Sequence, residues 1–181
     1  ELDTQIFTGD ADGDSYMISA SSLNEDGTPK INFPGSTVQD GVLATPPGDF
    51  LVDIPILEGL PLRLSLSQTE MVGNLALDEV GFTLNNGVLG GYLTRDAIVE
   101  LVDTIGSACD GDNPPADICD ALAGFGGAAG ILPLLEGIAP YDSAVTAEGA
   151  QTCSALGAPD CNALSVCLLI TMESANISGQ E

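Results

Sequence analysis

A chain of 181 residues that holds 27 Asp or Glu, three Lys or Arg and no His carries a net charge of −24. Such a surface repels nucleic acid and anionic membrane, both of which require cationic contacts, and it attracts cations and basic partners. Hydrophobic residues still make up 44%, so the chain is not compositionally disordered, and with five Phe, three Tyr and no Trp its core falls to Leu, Val, Ile and Ala.

Residues 1 to 60 are rich in Asp, Gly, Pro, Ser and Thr. Strand-like pieces ("DSYMISASS", "KINFPG", "DFLVDIPIL") alternate there with the turn signals "NEDGTP" and "ATPPGD". In "PLRLSLS", Leu62, Leu64 and Leu66 alternate with polar residues, the period of a half-buried strand. "NLALDEVGFTL" continues the pattern through Leu75, Leu77, Val80, Phe82 and Leu84. Asn86-Gly87 then predicts a type I′ hairpin turn, with "VLGGYL" as the return strand and Gly90-Gly91 marking a bulge or a close backbone approach.

The period changes at Thr94, which can cap a helix starting at Arg95. Ile98, Leu101, Val102 and Ile105 form its apolar stripe, and Gly106 or the loop at Cys109 ends it. Asn113-Pro114-Pro115 predicts a second helix start, with Ile118, Leu122 and Phe125 on one face. "GGAAG" breaks it, and "ILPLLEGIA" predicts a third short helix. Pro140 to Asp160 reads as loop, and residues 163 to 172 as an apolar strand buried on both faces or central in a sheet. Runs of strands with segregated helices predict a mainly β to α+β fold. The expectation is an antiparallel, β-sandwich-like sheet system with an inserted pair or trio of short helices. It forms a single domain over 1–181: strand-rich over 1–93, a helical insertion over 94–139, and a disulfide-bearing loop with a final strand over 140–181.

All five cysteines lie in the C-terminal part. Cys109–Cys119 and Cys153–Cys161 each bracket a polar or turn-rich loop that a disulfide can close, whereas Cys167 sits in "ALSVCLLITM" and reads as a free buried thiol. A structural zinc site competes with the disulfides, but no CxxC pair and no histidine support it. Disulfides place the chain in an extracellular, periplasmic or outer-cell-surface setting. The start at Glu1 has no basic or apolar leader and reads as a processed end, compatible with a lipid anchor ahead of residue 1. No stretch reaches the ~20 apolar residues of a membrane-spanning helix.

Asp10, Asp12 and Asp14 in "GDADGDSYMI" match the first three ligand positions of an EF-hand-like loop, with the Tyr16 carbonyl as a fourth. The glycine is misplaced, however, and Ser21 stands where the closing carboxylate belongs. These aspartates hold Ca2+ only if other loops complete the shell; otherwise they are a solvated acidic turn. Asp110, Asp112, Asp117 and Asp120 form a second acidic cluster, with Asp117 and Asp120 at a helix start.

Catalytic patterns are scarce. Without histidine there is no Ser-His or Cys-His nucleophile and no His-bound metal, and no phosphate-binding glycine motif is present. Glycoside hydrolysis by a carboxylate pair remains chemically open, but no pair stands out and aromatic sugar platforms are few. Arg63 and Arg95 each read as structural partners of nearby acids, and Asn176-Ile177-Ser178 fits a glycosylation sequon.

The stretches "NNGVLGGYLTRDAIVELV", "CDGDNPPADICDALAG" and "DCNALSVCLLITM" resemble the acidic, Asp/Gly/Ala-rich secreted proteins and lipoproteins of unknown function that myxobacteria-like bacteria carry. The resemblance spans roughly residues 75 to 172. It implies an outer-surface or extracellular location and transfers no activity and no catalytic residue.

The expected function is a non-enzymatic extracellular or cell-surface structural or assembly module that meets a protein partner or its own copies. The alternatives are a module binding an apolar small ligand, a calcium-dependent adhesion module and a carboxylate-based hydrolase.

Overall fold

Strands make up 51% of the computed structural model, and with three helices the fold is mainly β, of the α+β kind. The structure describes residues 2–57, 60–77, 81–111, 114–174 and 176–180. The first strands are β1 (Leu2–Ile6), β2 (Gly9–Asp12) and β3 (Ser15–Ile18), followed by a 3-10 turn at Ala20–Ser22. Then come β4 (Ile31–Gln39), β5 (Val42–Ala44), β6 (Gly48–Leu57), β7 (Leu60–Leu77) and β8 (Phe82–Thr94). The helices are α1 (Arg95–Cys109), α2 (Ala116–Gly124) and α3 (Ala128–Ile138), and the last strands are β9 (Ser143–Thr146), β10 (Gly149–Thr152), β11 (Ala163–Glu173) and β12 (Ile177–Gln180).

The chain divides into two compact units, one of residues 1–52, 67–91 and 166–181, the other of 53–66 and 92–165. In the first unit a curled sheet runs in the order β1-β4-β5-β7-β8-β11, and β6 also pairs with β7. A separate three-stranded sheet has the order β12-β3-β2, with β12 parallel to β3. The core of this unit is Ile31, Phe33, Met71, Leu84 and Leu89, each at most 2% exposed. Ser36 is buried with them, its hydroxyl donating to the Phe33 carbonyl at 2.7 Å.

Three strands change which face they bury part-way along, each at a residue in the left-handed region. In β4 the buried positions are Ile31 and Phe33 and then Ser36, across Gly35 (φ 79). In β7 they are Leu66 and then Thr69, Met71 and Gly73, across Gln68 (φ 49). In β8 they are Leu84 and then Gly87, Leu89 and Gly91, across Asn86 (φ 50). One extra residue in a strand shifts the two-residue alternation by one, which is a β-bulge, and bulges bend a sheet. Curling therefore traces to three local backbone events.

These bulges correct the sequence reading of Asn86-Gly87. The pair is not a hairpin turn; β8 continues through it. Asn86 takes the left-handed conformation alone, and Gly87 is needed because a Cβ there would lie 2.7 Å from Ile170 Cγ1. Gly91 is the close approach expected, since a Cβ would meet Thr69 Oγ1 at 2.7 Å. "NLALDEVGFTL" is likewise two strands, the end of β7 and the start of β8. Val80, Asp112 and Asn113 lie outside the described residues.

The second unit follows its helix signals closely. Thr94 caps α1, its hydroxyl accepting the Ala97 N–H at 3.2 Å. Ile98 and Val102 are buried and pack with Tyr141 and Cys161, against Leu93, Ile131, Leu132 and Leu164. Two readings fail here. Phe125 is not on the α2 stripe: the helix ends at Gly124 and the ring is 57% exposed. Residues 140–160 are not all loop, because β9 and β10 form a hairpin with Thr152 opposite Ser143. β9 in turn meets β11 at the Ala163–Ser143 pair, which gives the order β11-β9-β10. No single described helix is long and apolar enough to cross a membrane.

Candidate functional site

The three N-terminal aspartates are the strongest metal signal in the sequence. Asp10 and Asp12 lie on β2, paired with Met17 and Ser15 of β3. Gly13 (φ 61) and Asp14 form the two-residue connection, with glycine in the first central position, as a type II′ turn demands. The segment is a hairpin tip and not a ligand loop. An extended strand spaces alternate carboxylates by two rises of ~3.3 Å along its axis, so they do not converge on one ion. Among the described residues no group of three or more His, Cys, Asp or Glu side chains could hold a metal ion.

Cysteine chemistry is more informative. Cys109 is bonded to Cys119, with Cα atoms 5.5 Å apart, and Cys153 to Cys161, with Cα atoms 5.4 Å apart. Two disulfides indicate an oxidising environment. The first ties the end of α1 to the first turns of α2, and Asp110 and Asp117 stand exposed beside it. The second closes a loop in which Asp160 accepts both the Ser154 N–H and the Ser154 hydroxyl at 2.8 Å, bonds that hold its carboxyl below the usual aspartate range. Cys167 is the free cysteine, but it is exposed and not buried.

Several polar clusters lie in the second unit. The Arg95 guanidinium donates to Glu136 Oε1 at 3.0 Å, and the Tyr141 hydroxyl reaches the same oxygen at 3.3 Å. Burial, then the Glu136 carboxylate, pushes the Tyr141 hydroxyl above its ordinary range. Arg95 thus pairs with an acid, as expected of a cation in so acidic a chain. Asp142 accepts the Ser165 N–H at 2.8 Å, the Ser165 hydroxyl at 2.5 Å and the Ser143 hydroxyl at 2.9 Å. Burial pushes its carboxyl up, but these bonds outweigh it and leave the group below its ordinary value. Asn162 works in the same way. Its amide accepts the Val145 N–H at 2.7 Å and donates to the Val145 carbonyl at 2.9 Å, standing in for a strand residue beside β9. Sequence reasoning missed both residues, and no motif marks them.

A shallow depression of about 180 Å³ lies between α1 and α2, lined by Gly106, Asp110, Leu122 and Ala123 with the Cys109–Cys119 disulfide. It falls below the ~300–1,000 Å³ typical of small-molecule sites, and its lining is not the Leu, Val and Phe wall an apolar ligand requires.

The feature that stands out in the first unit is β11. The sequence reading of a doubly buried strand is corrected: Cys167, Leu168, Leu169 and Thr171 are exposed, Leu169 by 86%. A continuous apolar run is the mark of a central strand only when neighbours lie on both sides. β11 has β8 on one side, and β9 meets it only at Ala163. Comparison with models of protein families, with curated proteins and with solved structures found no match to this chain.

Proposed function

We propose that this chain is a non-enzymatic structural or assembly module that works outside the cell or on its outer surface, in contact with a protein partner. The observation that carries this reading is an uncharged apolar strand, residues 163–172, that exposes Cys167, Leu168, Leu169 and Thr171 in a chain whose net charge is −24. Exposed apolar segments on an otherwise charged surface mark interaction sites. Two further features support it. Two disulfides fit an extracellular, periplasmic or cell-surface setting. The carboxylates of Asp142, Asp160, Glu136 and Asp26, each accepting two or more hydrogen bonds, are bonded to serines, a threonine, an arginine and a tyrosine, as in structural roles.

The test is cross-linking on intact host cells with a reagent that joins carboxylates, since the chain has 27 of them and one lysine. The expected result is this chain in species well above its own 18.4 kDa, with Cys109, Cys119, Cys153 and Cys161 oxidised. Recovery of the chain only as an uncoupled species with reduced cysteines would sink the reading.

A further inference from the structure

Along β11, successive residues turn their backbone groups to alternate sides. The Ser174 N–H donates to the Phe82 carbonyl of β8 at 2.8 Å. By alternation, 166, 168, 170 and 172 also face β8, consistent with the Ile170 carbonyl lying 2.8 Å from the Cβ position of Gly87. Cys167, Leu169 and Thr171 therefore turn their N–H and C=O groups away from β8. Among the described residues no strand pairs with β11 on that side beyond Ala163.

Such an edge is a template for another strand, and proteins normally blunt it with a charge, a proline or a covering segment. Here Val166 to Met172 contains none of these residues. We infer that the open edge of β11 is a strand-addition site for an extended, aliphatic segment flanked by basic residues, supplied by a different, cationic protein. The strand form follows from the three outward N–H and three outward C=O groups. The aliphatic character follows from Leu169 and from the absence of charge over residues 163–172.

The basic flanks follow from charge complementarity. The edge runs out into Glu173, and the whole chain carries −24. A cationic partner is steered towards this surface, while a second copy is repelled by it. The inference rests on the assembly reading above and names the partner's chemistry and the edge that receives it.

Three synthetic peptides test this with the full chain untouched. One has a Val/Thr alternation with Lys at both ends, the second carries Glu at both ends, and the third repeats the first with N-methyl groups on alternate amides, in either of the two registers. Binding is read by isothermal calorimetry at physiological salt and by amide exchange at Cys167, Leu169 and Thr171. The Lys-flanked peptide is expected to bind and to protect those three amides. N-methylation in one register should weaken it by about tenfold or more, since it removes several hydrogen bonds, and in the other register should leave it intact. The Glu-flanked peptide should fail. A Leu169→Lys chain, altered only at an exposed side chain, should bind the Lys-flanked peptide about tenfold more weakly.

Binding that ignores the N-methyl register would reduce the effect to charge attraction and overturn the strand-addition site. Equal binding of the Glu-flanked peptide would overturn the basic partner. Self-association of the free chain that Leu169→Lys abolishes would make the occupant a second copy and overturn the inference as stated. If cross-linked species form on cells but map to other surfaces such as α3, the edge site fails and the assembly reading survives. If no such species form, the reading beneath it fails.

Discussion

The first unit has no disulfide and buries Ile31, Phe33, Met71, Leu84 and Leu89 to at most 2% exposure, with Leu43 and Ile18 at 6–7%, whereas the second has two disulfides, and although its Leu66 and Ala163 are fully buried, Ile98, Val102, Leu122 and Tyr141 around its short helices keep 4–8% exposure. The first unit can fold on burial alone because long strands meet over many residues. The second joins a 15-residue helix to helices of 9 and 11 residues and a hairpin of two four-residue strands. Helices this short are marginal without tertiary support. Cross-links that restrict the unfolded chain compensate for the smaller core. The lesson is that burial and covalent restraint are exchangeable means of holding a fold, and here each unit relies on a different one.

The comparison breaks most sharply at Phe33. It is the largest fully buried side chain of the first unit, at 0% exposure. Phe33→Ala should cost about 3–5 kcal/mol in urea unfolding, from lost burial and the cavity left behind. Amide protection should fall in β4, β7 and β8. A cost below about 1 kcal/mol would mean the sheet core can collapse around the gap.

Opening the disulfides is the matching experiment on the second unit. For loops with sequence separations of 10 and 8, each bond should contribute about 2–3 kcal/mol by the chain-entropy account. Reductant, or the paired change Cys153→Ser with Cys161→Ser, should strip amide protection from α1 and α3. Residues of β4 and β5 should keep theirs. Equal loss in both units would erase the contrast.

How much of this was legible in the sequence also divides by unit. The helices of the second unit were readable because their signals are local: Thr94 at the cap, the four-residue stripe from Ile98 to Ile105, the prolines before α2. Loop composition suggested the cysteine pairing without deciding it among the possible ones, and the structure has Cys109–Cys119 and Cys153–Cys161. In the first unit strand content was readable from alternation, but three bulges interrupt the period at Gly35, Gln68 and Asn86. A bulge depends on what the neighbouring strand requires, so Asn86-Gly87 mimics a turn that the sheet does not make. The candidate site suffered most. Ten uncharged residues look alike whether a strand is paired along both sides or along one, and only the register, which joins β9 to β11 at Ala163 alone, tells them apart. Asp10, Asp12 and Asp14 stand on a hairpin that the sequence reading took for a loop, because ligand spacing in sequence says nothing about whether the backbone is coiled or extended.

The smallest expected effect sharpens the comparison at a single carboxylate in the second unit. Asp142 takes the Ser165 N–H, the place a strand residue would occupy, and so ends the pairing along β11. Its pKa is lowered in the folded state, where hydrogen bonds from Ser165 and Ser143 outweigh burial. A lowered folded pKa gives stability that is present above the unfolded value of ~3.9 and is lost as pH falls through the folded value. Tyr141 has the opposite sign: its raised pKa gives stability present below ~10 and lost as pH rises through the folded value. Asp142→Asn keeps the shape and removes the charge. It should cost about 1–2 kcal/mol at pH 7, in the range of hydrogen bonds to a charged group. Protonation also relieves repulsion among the other carboxylates, so the informative quantity is the difference between the two proteins. That difference, followed by melting temperature from pH 7 to pH 2, should stay constant down to about pH 5 and shrink towards zero as the wild-type carboxyl protonates. A difference that does not change with pH would show that shape, and not charge, holds this end of the strand.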